Sequence, residues 1–446
     1  MMTDQPIPGV TPPNWGAQLL EWIEDGLDSH AVAKFLAKCE ADQGDVSMLI
    51  VGDSLTAIYG TPWTELLPVK IGERFPALTV ELDQWNGDNS PWPNPGDYGG
   101  APVTLQTGTG ANTLRVWNGG AGGTNTRFPL HQLDLMVRAP NPDLVLIAYG
   151  ANEFATTATH TPDDIRAAYL CLTESIKHAA PEASILCISQ HPIAAPGGAD
   201  SFMVAEVVRE LCELRGHGYV NMTQVFADLG ADMDDYLQDG THANQLGQDL
   251  WTDTLWDRVF SRRVRAPSAE LPSGFEAPAG RELLVNGKFA SFAAPPALTG
   301  WLASNVTLAK DTVNYEATNG NAYSVKMTST GAGIAVVLQA VSAPALARLK
   351  GRYVTLTARV RVDTPAASDT SSRGTVWLYD GVTFVKGLFD AWTQGKFVYH
   401  AVTLKVSTAA TQLTAYLVCD DAVAAGTINQ WDWASMVEGI VPGWGV

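Results

Sequence analysis

The chain has 446 residues, 46% hydrophobic and 17% charged, and its 28 basic against 47 acidic side chains give a formal net charge of -19. That length suits two or three domains, and the composition is that of an ordered globular protein. The acidic balance excludes a broad phosphate-binding surface, which needs clustered Lys and Arg, so nucleic acid is not an expected partner.

In chain order, Trp15, Leu19, Leu20, Ile23 and Leu27 recur at helical spacing and predict an N-terminal helical segment over 1–45. The first residues show no basic stretch followed by an apolar one, and no later run is long enough to span a bilayer, so neither Sec export nor membrane insertion is expected. From 46 to 261, short apolar runs alternate with amphipathic stretches, which predicts a three-layer α/β sandwich with a parallel sheet. The expected strands are Ser47–Val51, Leu114–Trp117, Asp143–Tyr149, Ile185–Ser189 and Tyr219–Thr223. Thr161-Pro162-Asp163-Asp164 supplies an N-cap, a first-turn proline and acids for a helix running to about His178. Further helices are expected over Phe202–Leu214 and Asn244–Val259. Between Tyr59 and Leu114 there is more chain than one crossover needs, and the turn formers from Trp85 to Gly96 predict an inserted excursion near the mouth of the site.

The stretch 262–281, rich in Pro, Ala, Gly and Ser, reads as a linker. Beyond it, over 282–446, Tyr353–Val362, Gly374–Tyr379, Phe397–Val406 and Leu413–Val418 alternate apolar and polar residues between turn formers, which predicts an antiparallel β-sandwich. The five cysteines (Cys39, Cys171, Cys187, Cys212, Cys419) form no Cys-x-x-Cys pair, and most sit inside apolar runs and are expected to be buried thiols, with no metal or cofactor implied. Asp232-Met233-Asp234-Asp235 fits neither a calcium loop nor a glycosidase carboxylate pair and reads as a solvated helix face.

Four segments carry the chemistry. Gly52-Asp53-Ser54-Leu55 follows an apolar strand, so Ser54 lies at the edge where open α/β sheets place their sites; alone, such a tetrapeptide is more often an ordinary turn with a capping serine. A serine hydroxyl needs a base, and Asp239-Gly240-Thr241-His242 can aim a carboxylate and an imidazole at one point. The same loop could simply enter a helix, with Asp239 and Asn244 as caps. His191, after the fourth strand, is the rival base. Oxyanion donors are available in the glycine-rich run Asn118 to Asn125 and in Gly150-Ala151-Asn152-Glu153.

In order and content these segments resemble the conserved blocks of the SGNH (GDSL-like) hydrolase family. The resemblance implies a metal-independent serine esterase working through an acyl-serine intermediate. It assigns Ser54 as nucleophile, Asp239 and His242 as the acid-base pair, and Gly123 (or Gly122) with Asn152 as oxyanion donors beside the Ser54 amide. Glu153 departs from the family's usual Gly-x-Asn-Asp.

Leu283 to Phe289, Gly300-Trp301 and Gln430 to Trp433 look like the start and finish of a carbohydrate-binding-module-like jelly roll. That resemblance implies sugar stacking by Trp377, Trp392 and Trp431, with Tyr379 and Trp433 as further candidates; each such aromatic also suits a core. Segments around Val80 to Asn86 and Gln106 to Gly110 look like those of minor tail proteins of actinobacterial phages. The expectations that follow are a virion location, or otherwise a secreted or cytoplasmic one, acylated envelope glycans or lipid esters as substrate, and further copies of the chain or other tail proteins as partners. The rival reading is an envelope-binding or structural tail module without useful turnover.

Overall fold

The computed structural model describes residues 31–42, 44–56, 61–86, 98–153, 161–193, 198–261, 282–291, 297–315, 323–363, 373–387, 397–420 and 425–439. The apolar stripe from Trp15 to Leu27, the linker and Trp392 lie outside them. A helix over 31–41, α1, leads into β1 (Val46–Gly52). Then come α2 (Trp63–Arg74), β2 (Thr79–Gln84), β3 (Val103–Gln106), β4 (Thr113–Gly120), α3 (Phe128–His131) and β5 (Leu144–Ala148). The first half closes with α4 (Pro162–Ala179), β6 (Ser184–Ser189), α5 (Gly198–Arg215), β7 (Gly218–Asn221), α6 (Met222–Ala227) and α7 (Gln245–Leu255).

These strands form one seven-stranded sheet in the order β3-β2-β4-β1-β5-β6-β7. Every pairing is parallel except that of β3 with β2. The expected all-parallel sheet is thus corrected to a mixed one, because the described part of the excursion before Leu114 adds β2 and the antiparallel edge strand β3. Alternation along β1 divides the core: Met48 and Ile50 pack with Phe35, Trp63 and Trp251 on one face. Leu49 and Val51 pack with Ile165, Tyr169 and Val208 on the other. Hence the three layers. From β1 the chain passes to β2 and edge strand β3 on one side, returns to β4 between β2 and β1, and then crosses to β5 on the opposite side, so the crevice at the carboxyl end of β1 is the switch point.

Helix α4 begins as its sequence dictates: Thr161 Oγ1 accepts from the Asp164 amide while the Asp164 carboxylate accepts from Thr161 N. Yet Ile165 to Ile176 is buried all round. The reason lies in the second half of the chain.

There, two antiparallel five-stranded sheets face each other. One runs β15 (Phe397–Lys405), β12 (Tyr353–Val362), β17 (Ile428–Glu438), β10 (Ser324–Ser329), β9 (Val306–Asp311). The other runs β14 (Phe384–Lys386), β13 (Arg373–Tyr379), β16 (Thr414–Asp420), β11 (Ala335–Ala340), β8 (Leu302–Ser304). Their inner faces share a core that includes Leu356, Val402, Leu417 and Trp431. The outer face of the first sheet packs on α4: Ala401 joins the core beneath that helix, and the Tyr399 hydroxyl meets His178 Nδ1 at 3.1 Å. This burial traps Arg359, 1% exposed, which pairs with the fully buried Asp432. Asp432→Ala would remove the buried carboxylate that pairs with that guanidinium, so we expect a loss of about 3–5 kcal/mol in stability, read by denaturant unfolding. All five cysteines are buried free thiols.

Candidate active site

Strand β1 ends in a tight turn, Asp53–Thr56, closed by Thr56 N donating to Asp53 O at 3.0 Å. Glycine is required just before it: a Cβ on Gly52 would lie 2.0 Å from Thr56 Oγ1 and 2.6 Å from Ala148 O. Ser54 sits half-buried in this turn, while Asp53 points inward and is fully buried. Asp53 Oδ1 accepts from Leu55 N at 3.0 Å and from Gln190 Nε2 at 2.8 Å, and its Oδ2 has no hydrogen-bond partner among the described residues. Burial pushes this carboxyl up to about 7. A raised folded-state value favours the neutral form, so the stability associated with Asp53 is complete below the ordinary carboxylate range and lost as pH rises through about 7. Asp53→Asn should therefore leave acid stability unchanged and raise the thermal midpoint progressively from pH 4 to pH 8 relative to wild type. An equal offset at every pH would show that Asp53 does not titrate in that window.

At the carboxyl end of β4, Ala121–Thr124 forms a second turn, with Thr124 N donating to Ala121 O at 3.3 Å. Gly123 occupies its left-handed position, with φ +71°. The turn's own bond leaves the central amides of Gly122 and Gly123 outside it. After β5, a short helical turn, Ala151–Glu153, brings Asn152 alongside, where Nδ2 donates to Thr124 O at 2.9 Å. Glu153 is buried and accepts from Thr126 N at 2.7 Å. Two adjacent side chains therefore tie this turn to the glycine loop, which gives the departure from the family pattern at Glu153 a structural role.

The fourth segment is a narrow loop between Leu237 and Ala243, which bridge as antiparallel partners. Asp239 Oδ1 accepts from Thr241 N at 3.0 Å and His242 N at 2.7 Å, and its Oδ2 meets His242 Nδ1 at 2.7 Å. These bonds to His242 hold the Asp239 carboxyl down to about 2. Its side chain is half exposed and that of His242 mostly buried. Asn244 caps α7 by accepting from Gly247 N. Of the two expected caps, Asn244 thus caps the helix, while Asp239 bonds within its own loop to Thr241 and His242.

His191, the rival base, is buried with both nitrogens engaged: Trp251 Nε1 donates to Nδ1 at 3.2 Å, and Nε2 lies 2.7 Å from Thr241 O. Burial lowers it to about 4. Nothing in the sequence marked Gln190, which the structure bonds to Asp53, to Ala148 O at 2.8 Å and to Ala151 N at 2.6 Å. Asp232, Asp234 and Asp235 are exposed on a short helical turn, Gly230–Tyr236.

In the second half, Trp431 is fully buried between the sheets and has no open face for a sugar ring. Trp377, 4% exposed, lies on the opposite side of its sheet against Phe384 and Tyr416, with Lys386 Nζ 4.5 Å from its ring. Trp433 is 3% exposed and packs edge-on against Tyr399. Tyr379 is partly exposed beside Phe384.

Residues 50–250 match the model of the GDSL-like Lipase/Acylhydrolase family. The matched segment contains Ser54, Gly123, Asn152, Asp239 and His242, and by this match the α/β half is similar to a GDSL-like acylhydrolase domain. Among solved structures, a two-domain esterase active on acetylated mannans is similar at 10% identity over 92% of this chain and 95% of its own, TM-score 0.38. A peptidoglycan O-acetylesterase is similar at 14% over 51% of this chain and 94% of its own, TM-score 0.41. The acetylxylan esterase Axe2 of Geobacillus stearothermophilus is similar at 17% over 49% and 95%, TM-score 0.35. No curated protein sequence matches the chain. Among the described residues no helix is long and apolar enough to cross a membrane.

Proposed function

We propose that the chain is a serine ester hydrolase that removes acyl groups, acetyl first among them, from envelope glycans or lipids. The observation that carries this reading is the Asp239–His242 pair, 2.7 Å apart in the acylhydrolase domain that also holds the Gly-Asp-Ser turn. The carboxylate binds Nδ1–H and so leaves Nε2 as the base, which takes the Ser54 proton as Oγ attacks the ester carbonyl. The C–O bond to the alcohol breaks as the acyl-serine forms. His242 returns the proton to the departing alkoxide and then activates the water that frees the acid. Ser54 N–H, the Gly123 amide and Asn152 Nδ2 bind the developing oxyanion; Asn152 uses one of its two amide protons on Thr124 O and has the other to offer.

The setting we favour is a phage virion, in which the β-sandwich half holds the enzyme on a cell envelope. The test is acid release from a panel comprising acetylated peptidoglycan, acetylated xylan or mannan, and short-chain lipid esters. Turnover on a glycan ester that exceeds turnover on p-nitrophenyl acetate is the expected result. Hydrolysis of none of the panel by folded protein would favour the alternative, a tail module without catalysis.

A further inference from the structure

The residues that would react sit on separate loops after β1, β4, β5 and β7, and something must hold these loops in register to a fraction of an ångström. We propose that Gln190 and His191, consecutive residues at the carboxyl end of β6, are positioning residues that lock the nucleophile, oxyanion and base loops to one another. The inference rests on the esterase reading above.

Gln190 has the only donor set that fits its surroundings. Its Nε2 faces two acceptors, Asp53 Oδ1 and Ala148 O, both at 2.8 Å, and its Oε1 accepts from Ala151 N at 2.6 Å. A flipped amide would set oxygen against oxygen and N–H against N–H, so the orientation is determined by its partners. Through these bonds the residue before Ser54 and the residue before Asn152 share one side chain, itself 5% exposed.

His191 performs the matching task for the base loop. Because Trp251 Nε1–H can only donate, Nδ1 must be the unprotonated nitrogen, and the ring proton sits on Nε2, where it donates to Thr241 O, the carbonyl just before His242. Trp251 in turn stacks on Trp63, ring centroids 5.3 Å apart, and Trp63 Nε1 donates to Leu55 O at 3.3 Å. The relay Leu55–Trp63–Trp251–His191–Thr241 therefore runs from the residue after Ser54 to the residue before His242 through fully buried rings. His191 stacks on Phe226 as well, centroids 4.7 Å apart, so it has little room to tilt. Neither Gln190 nor His191 belongs to the segments that the family resemblance singles out.

The test compares the intact chain with Gln190→Leu, His191→Phe and His191→Gln. Kinetics on p-nitrophenyl acetate are normalised to the number of sites that a fluorophosphonate labels. We expect the first two variants to keep their labelled sites per folded molecule, and turnover per site and labelling rate to fall about 10- to 100-fold. KM should stay within about threefold, since the loss lies in alignment and not in ground-state binding. His191→Gln keeps a donor for Thr241 O and should recover most of the rate. A purely structural role would instead lower the number of labelled sites and leave turnover per site unchanged, which would overturn the proposal. If Gln190→Leu and His191→Phe fail to fold, Trp251→Phe, which keeps an aromatic ring but removes the proton that fixes the imidazole tautomer, must still lower turnover per site, and an unchanged value overturns the proposal. Absence of labelling on wild-type Ser54 would sink the esterase reading itself, a different failure from equal turnover among labelled variants.

Discussion

Ser54→Ala is expected to lower kcat on p-nitrophenyl acetate by at least about 10⁴-fold while leaving the thermal midpoint close to that of wild type. The hydroxyl is a small part of a half-buried residue, and the turn around it is held by backbone and Asp53 bonds that alanine retains. The change therefore removes the nucleophile and little else. What survives should be the modest rate supplied by the oxyanion donors acting on water, so a residual activity above background is part of the expectation. Equal rates for the two proteins would mean that hydrolysis, if present, occurs elsewhere.

Asp239→Asn should cost about 10³- to 10⁴-fold in kcat, and its cause differs from simple loss of charge. The side chain is half exposed, so solvent screens its Coulombic hold on the imidazole. Geometry carries the effect. Asparagine keeps an oxygen for the Thr241 and His242 amides, but it turns a nitrogen donor toward His242 Nδ1 where a carboxylate oxygen stood. The imidazole must then accept at Nδ1 and carry its proton on Nε2, the nitrogen that should take the serine proton. Since the wild-type carboxyl is held down to about 2, the pair stays assembled through the mildly acidic range. The measurement is kcat for wild type and variant from pH 5 to pH 9: the deficit should persist across the range, and a variant that matches wild type at neutral pH would remove Asp239 from the mechanism.

How much of the fold and site is legible in the sequence depends on whether the signal is local. Strands β1, β4, β5 and β6 announce themselves as apolar runs, and the start of α4 is written in Thr161-Pro162-Asp163-Asp164, because capping is settled within one turn. The Asp239–His242 pair is likewise a three-residue spacing. Strand β2, in contrast, is a short run just ahead of a stretch dense with turn formers, and β3 is a four-residue edge strand whose pairing to β2 has no local marker. The encircling burial of α4 depends on β15, more than two hundred residues later. The sequence predicts one strand over Tyr219–Thr223, but Asn221 ends it by capping α6, its side chain accepting from Gln224 N. The least visible feature is the Gln190–His191 hub. A glutamine and a histidine after a strand say nothing alone, and their meaning comes from five hydrogen-bond partners, Asp53, Ala148, Ala151, Thr241 and Trp251, far from them in sequence. Trp431 illustrates the converse: an aromatic suited to a sugar is equally suited to a core, and only the sheet register assigns it to the interior.

The most direct test of the central claim is the mass of the intact protein after reaction with a fluorophosphonate, followed by peptide mapping. The account predicts one adduct per chain, located on Ser54, absent from Ser54→Ala and slowed in Asp239→Asn. An adduct on another residue, or folded protein that stays unmodified while a control serine esterase reacts, would contradict it.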